Sequence, residues 1–158
     1  MKRKWFLTMF LVISVIATLG AARIQQSFRA TLTGDQEVPP VETDAHGLAL
    51  YLFNLQETRM RFRVRVFKIE DVVAAHVHCA PPGVDGPVGI TLFSGGPVSI
   101  ESGVLAEGTV TAPDPGNACG WDDLSDAAEA MRSGNAYDNV HTLAHPGGEI
   151  RGNIMPSR

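Results

Sequence analysis

Hydrophobic and polar residues alternate with a period of two along much of the chain. The clearest case is Arg59–Lys68, where Met60, Phe62, Val64 and Val66 are separated by arginines. Successive side chains of a β-strand point to opposite faces, so this segment predicts a strand with one apolar face and one arginine face. Similar patterns, separated by turn-forming residues, predict strands at Ser27–Gly34, Gly47–Asn54, Arg59–Lys68, Ala74–Ala80, Val88–Phe93, Gly103–Thr111, Ala136–Thr142 and Glu149–Met155. Between the fifth and sixth of these strands, Gly95-Gly96-Pro97 predicts a turn.

One late segment departs from this period. Asp122–Arg132 starts with acidic residues, continues with apolar residues at helical spacing, and is followed by Ser133 and Gly134. Acids in the first turn and glycine after the last are typical of a helix. Seven or eight short strands with one helix predict an all-β fold, an antiparallel Greek-key-like β-sandwich with one short helix in a late loop.

The first 22 residues have the pattern of a secretory signal peptide. Lys2, Arg3 and Lys4 precede an apolar run from Trp5 to Leu19, and small residues follow up to Ala22. This predicts cleavage after Ala22 and export to the periplasm or the extracellular space. The alternative is an uncleaved anchor, for which this apolar run is short. Residues 23–158 then suit one domain with no transmembrane segment.

The net charge limits the classes of partner that the protein can bind. The formal net charge is −4, and without Lys2, Arg3 and Lys4 it is −7. An acidic domain is poorly suited to nucleic acid, which is bound through its phosphates. The arginine row from Arg59 to Arg65 could bind an anionic polymer or lipid headgroups. The acidity favours instead a solvated face whose arginines pair with acids on neighbouring strands.

The two cysteines are best explained by export. Cys79 and Cys119 form an even pair, and cysteines in an oxidising compartment usually form disulfides. The alternative is that their thiolates bind a metal, but neither cysteine has a CxxC partner.

Histidines provide the candidate site. His76 and His78 share one face of a predicted strand, so their imidazoles can converge on one metal ion. His141 in another strand offers a third ligand, and His145 in the following turn a fourth. Nitrogen ligands suit copper(II), with zinc(II) as the alternative. If no metal binds, His76 and His78 donate hydrogen bonds to loop carbonyls instead.

The other polar motifs do not indicate catalysis. No GxSxG, GxGxxG or GxxxxGK[ST] motif is present. Asp122 and Asp123 stand at a predicted helix start, where acids favour the helix dipole. Glu149 and Arg151 alternate in the last predicted strand and are predicted to form a structural ion pair, in which Glu37 is a further candidate partner.

Three stretches in order resemble the CHRD domain, which is named after chordin and also occurs alone in secreted bacterial proteins. They are Glu37–Val41 with Thr43, Ala45 and Gly47; Ala75–His78 with Gly83 and Asp85–Val88; and Tyr137, Asn139–Thr142 and Pro146–Gly152. The resemblance implies an all-β domain without a well-defined role. His76-Val77-His78, with His141, is more distantly similar to the copper site of the copper/zinc superoxide dismutase sandwich. No histidine-rich zinc loop lies between His78 and Cys119, which argues against full dismutase chemistry.

These features together predict an exported CHRD-type domain that binds copper or zinc through His76, His78 and His141. One alternative is a metal-free module that binds an extracytoplasmic protein. A third hypothesis is a copper-dependent enzyme similar to superoxide dismutase, which needs a redox-active ion with an open coordination position.

Overall fold

The computed structural model describes residues 25–157, so the predicted signal peptide, 1–22, lies outside the described residues. The elements in chain order are β1 Ser27–Thr33, a 3₁₀ turn Gly34–Gln36, β2 His46–Phe53, β3 Met60–His78, β4 Val88–Val110, α1 Leu124–Arg132, β5 Tyr137–Thr142, β6 Ile150–Asn153 and β7 Met155–Pro156. The predictions of an all-β fold and of one late helix are confirmed. Within the described range, no helix has the length and apolar character needed to span a bilayer.

The described strands form one antiparallel sheet in the order β2–β1–β6–β5–β3–β4, with β7 beside β1. An additional pairing between β2 and β3 closes this sheet into a barrel of β1, β2, β3, β5 and β6. The fourth strand lies outside that ring along the other edge of β3. The finer prediction of a two-sheet Greek-key sandwich stays a prediction.

Two strands are longer than the sequence predicts. The third strand joins predicted strands Arg59–Lys68 and Ala74–Ala80, and its partner β4 joins Val88–Phe93 and Gly103–Thr111. The polar interruption in β3 is accommodated by shifts in register and by left-handed backbone at two residues, with φ of 51° at Lys68 and at Asp71. Such bulges bend a strand without ending it.

The predicted turn at Gly95-Gly96-Pro97 is therefore wrong. Ser94 still pairs with Ala74 and Val98 with Val72, so the strands remain paired on both sides of the extra residues. As a consequence, one β3 strand pairs with β2 along its first half and with β5 along its second half.

The buried residues follow the period of two in the first half of β3. Met60, Val64 and Val66 are fully buried in the core, and the arginines between them are exposed. The helix α1 buries Leu124, Ala127, Ala128 and Met131. Its first turn is capped by the Asp123 side chain, which accepts from the Ser125 amide at 2.7 Å.

The predicted disulfide is confirmed. Cys79, directly after β3, is bonded to Cys119 in the loop before α1, with an S–S distance of 2.03 Å. The bridge ties the loop before the helix to the end of the strand that carries His76 and His78.

Candidate metal centre

The structure brings His76, His78 and His141 together. Residues two apart on β3 share a face, and the pairing of β3 with β5 places Ala74 opposite His141 and His76 opposite Asn139. Opposite residues of antiparallel strands lie on the same face, so all three imidazoles are on one side of the sheet. Each offers one ring nitrogen, and these nitrogens lie within 4.8 Å of one another.

Backbone carbonyls orient two of the rings. The Nδ1 atom of His78 lies 2.8 Å from the Gly86 oxygen, and the Nδ1 atom of His141 lies 2.9 Å from the Pro146 oxygen. A carbonyl only accepts, so both Nδ1 atoms carry the proton and both Nε2 atoms keep a lone pair. The Nε2 atom of His78 is buried and has no hydrogen-bond partner within the described residues. Metal-binding histidines are commonly fixed in this way through the second nitrogen.

His76, on β3, contacts the ring of His141 on β5. Its Nδ1 atom lies 3.0 Å from Nε2 of His141. Because Nε2 of His141 has the lone pair, the proton between these rings belongs to His76, which donates it. Nitrogens on opposite sides of one ion are about 4 Å apart, twice a typical bond length. The separation of up to 4.8 Å in the cluster is close to this span, so the three rings could hold one ion.

All three imidazoles favour the neutral form that binds metal. Burial, together with the neighbouring His141 and His78 rings, lowers the pKa of His76 to about 4. Burial is also the main reason that the pKa values of His78 and His141 lie below the usual histidine value. At neutral pH the cluster is therefore uncharged. The lone pair of His78 Nε2 has no partner among the described residues, and that of His141 Nε2 accepts the hydrogen bond from His76.

A buried arginine supports the ring of His78. Tyr137 stacks on His78, with centroids 4.7 Å apart and an interplanar angle of 9°, and the guanidinium carbon of Arg151 lies 3.4 Å from the Tyr137 centroid. Arg151 is 1% exposed and donates to Asp85 at 2.9 Å and to the Val84 oxygen at 2.5 Å. It thereby fixes the loop whose Gly86 carbonyl orients His78.

The predicted ion pair between Glu149 and Arg151 is not formed. The carboxylate partner of Arg151 is Asp85, and Glu149 instead accepts from the hydroxyls of Thr43 at 2.7 Å and Thr142 at 2.8 Å. Glu149 lies just before β6 rather than in it. The alternation of a strand therefore does not set the direction of its side chain.

His145 is not part of the cluster. It lies in the turn after β5, where its amide donates to the Thr142 hydroxyl at 3.1 Å and its carbonyl accepts from the Thr142 amide. It lines a separate depression together with Glu70, Asp71 and Glu149. The geometry therefore brings together three histidines that could hold a metal ion and does not include the predicted fourth.

Two buried polar side chains near the cluster were not predicted. Asn139, opposite His76, and Glu37, 5% exposed, each have a side-chain oxygen without a partner among the described residues. Burial raises the pKa of Glu37 to about 7, although the positive charge of Arg151 opposes this. Gly148, with φ of 127°, allows their close packing, since a Cβ there would lie 2.4 Å from Glu37 Oε1. Both residues stand in stretches that carry the CHRD resemblance, Glu37–Val41 and Asn139–Thr142, but no local pattern indicates that they are buried.

Comparison with protein-family models matches residues 28–154 to the CHRD domain. Neither the curated proteins nor the solved structures contain a match to the chain. The matched range includes all three histidines of the cluster, both cysteines and Arg151.

Proposed function

The chain belongs to the CHRD domain family, and from this premise we propose that it is an exported protein that binds one copper ion through His76, His78 and His141. The observation that carries the proposal is the convergence of three neutral imidazole nitrogens within 4.8 Å. Two of these rings are held by backbone carbonyls in the tautomer that leaves Nε2 without a proton.

The donor set supports a transition metal over magnesium or calcium, which prefer oxygen ligands. Imidazole suits both copper and zinc, and the Irving–Williams order places copper(II) above zinc(II) in affinity. Copper is therefore the proposed ion and zinc the alternative. The unpartnered Nε2 atom of buried His78 supports this assignment, because a buried polar atom without a partner costs free energy that a bound ion offsets.

Two features support export. The first 22 residues have the charge and hydrophobicity pattern of a cleaved signal peptide. The Cys79–Cys119 disulfide is of the kind that persists in an oxidising compartment. Export of the chain, to the periplasm or beyond, is testable by intact mass, which is expected to show cleavage after Ala22.

The test of the proposed function is a copper(II) titration of protein purified without a histidine tag, followed by metal analysis and electron paramagnetic resonance. We expect one equivalent of copper with a nitrogen-rich type 2 spectrum. The His76→Ala/His78→Ala double variant is expected to lose it. The matched control is His46→Ala/His145→Ala, which removes two histidines that lie outside the cluster. Circular dichroism checks that both variants fold.

Binding that is weak, exceeds one equivalent or survives in the His76→Ala/His78→Ala variant would refute the proposal. The alternative would then be a metal-free module that binds an extracytoplasmic protein, with His78 and His141 serving only as donors to loop carbonyls. The third hypothesis, superoxide dismutation, requires redox cycling at a copper with an open position. It is tested by assaying superoxide decay with the copper-loaded protein against the same double variant.

A further inference from the structure

Half of the basic side chains in the described range are on one face of the sheet. Residues 25–157 contain eight lysines and arginines against 17 acidic residues, so this part of the chain is strongly acidic. Arg29 on β1 and Arg61, Arg63 and Arg65 on β3 nevertheless point outward on the same face. The charge of this face is therefore opposite in sign to the net charge of the described residues.

A column of leucines separates the arginines. On β2, Leu50 lies between Arg29 on one neighbouring strand and Arg63 on the other. By the same register Leu52 lies next to Arg61, and the side chain of Leu50 is 43% exposed. We call this surface the arginine–leucine face; its members are Arg29, Leu48, Leu50, Leu52, Arg61, Arg63 and Arg65.

Pairing with acids accounts for only one of these arginines. Arg63 contacts Glu107 on β4 at 2.6 Å, in an exposed pair. No other carboxylate in the described part of the chain is within ion-pair distance of Arg29, Arg61 or Arg65. Arg65 instead packs near the ring of Phe67, at 5.5 Å from its centroid. The prediction of a face neutralised by neighbouring acids holds for Arg63 alone.

We propose that the arginine–leucine face docks onto an anionic phospholipid surface. Guanidinium groups bind phosphate through two parallel hydrogen bonds and retain their charge at any physiological pH. Exposed leucines between cations suit the boundary between headgroups and acyl chains. A hydrophilic polyanion would match the charge but would leave Leu50 without a partner. The acidic remainder of the protein is repelled by the same membrane, so only one orientation is favoured. This proposal does not depend on metal binding.

The experiment is co-sedimentation of the purified protein with vesicles of phosphatidylglycerol and phosphatidylcholine, and with vesicles of phosphatidylcholine alone. A basic residue near an anionic membrane is worth about a factor of five in binding, so Arg61→Gln/Arg65→Gln is expected to bind roughly 25-fold more weakly. The matched control is Ser94→Glu/Ala118→Glu, which changes the net charge equally at exposed positions outside the face. All variants share one N-terminus, so any contribution of residues 1–24 is common to them.

A third variant, Leu50→Ser, separates lipid from other polyanions. We expect weaker vesicle binding in this variant with unchanged binding to dextran sulfate. Equal binding to the two vesicle types would overturn the proposal. So would a loss of binding that is the same in Arg61→Gln/Arg65→Gln and in the control. Vesicle binding that depends on the arginines but not on Leu50, and that dextran sulfate abolishes, would also overturn it in favour of a general polyanion site.

Discussion

Replacing Asp138 with asparagine is expected to change how stability depends on pH. Asp138 is fully buried in β5, between Val77 on β3 and Gly152 on β6. The Tyr51 hydroxyl donates to its Oδ2 atom at 2.5 Å, and its Oδ1 atom has no partner among the described residues. Burial without a cation favours the neutral acid and raises the pKa of Asp138 to about 7, although the Tyr51 hydrogen bond opposes this.

The sign of the effect follows from proton binding. Between pH 4 and 7 the folded chain keeps the Asp138 proton and the unfolded chain, with a pKa of 3.8, has lost it. The contribution of the Asp138 carboxyl to the free energy of unfolding is therefore fully present below pH 4. It falls by about 1.4 kcal/mol per pH unit as the pH rises to about 7. The total is on the order of 4 kcal/mol. Asp138→Asn removes this loss. At low pH, however, this variant is less stable than wild type by about 1–3 kcal/mol, because the N–H groups of the new amide have no partner.

The assay is urea unfolding of the metal-free protein from pH 4 to 9 with the disulfide intact. The variant is expected to be the less stable protein at pH 4 and the more stable one at pH 8. The difference between variant and wild type isolates Asp138, because Glu37 and His76, which also titrate in this range, are present in both. Asp122→Asn, at an exposed position, controls for the loss of one carboxyl. A difference that does not vary with pH would refute the reasoning.

Three further outcomes are expected. Gly89→Ala should lower the free energy of unfolding by about 1–3 kcal/mol, measured with urea, because the new Cβ would lie 2.2 Å from the Trp121 ring. Cys79→Ser/Cys119→Ser should lower it by about 4 kcal/mol, since the bridge closes a loop with a sequence separation of 40; an unchanged urea midpoint would contradict this. Arg151→Met should weaken copper binding about 10- to 100-fold in a chelator competition, and Arg151→Lys should restore little, because lysine cannot stack on Tyr137 and bridge to Asp85 and Val84.

The sequence was sufficient to predict that three histidines lie close together. The period of two places His76 and His78 on one face regardless of how the strand pairs. The position of His141 in a separate strand was predicted, and the register of β3 with β5 confirms that it lies on the same side of the sheet. The disulfide followed from the count of cysteines together with the expected compartment.

What the sequence could not provide were contacts that depend on loops and on continuous strands. Arg151 binds the loop after β3 rather than Glu149, and no local pattern specifies a partner 66 residues away. The turn predicted at Gly95-Gly96-Pro97 is a bulge because β3 holds β4 on both sides of it. The burial of Asp138 was equally hidden, since β5 is flanked by a strand on each edge and is covered on both faces.

The continuous course of β3 has a geometric consequence. The strand carries Arg61, Arg63 and Arg65 near its beginning and His76 and His78 at its end, and it bends between them without a break. At about 3.3 Å per residue, the 13 steps from Arg65 to His78 span at most about 43 Å. Because one strand carries both groups, a protein docked through these arginines would keep its histidine cluster within that distance of the arginines that contact the lipid.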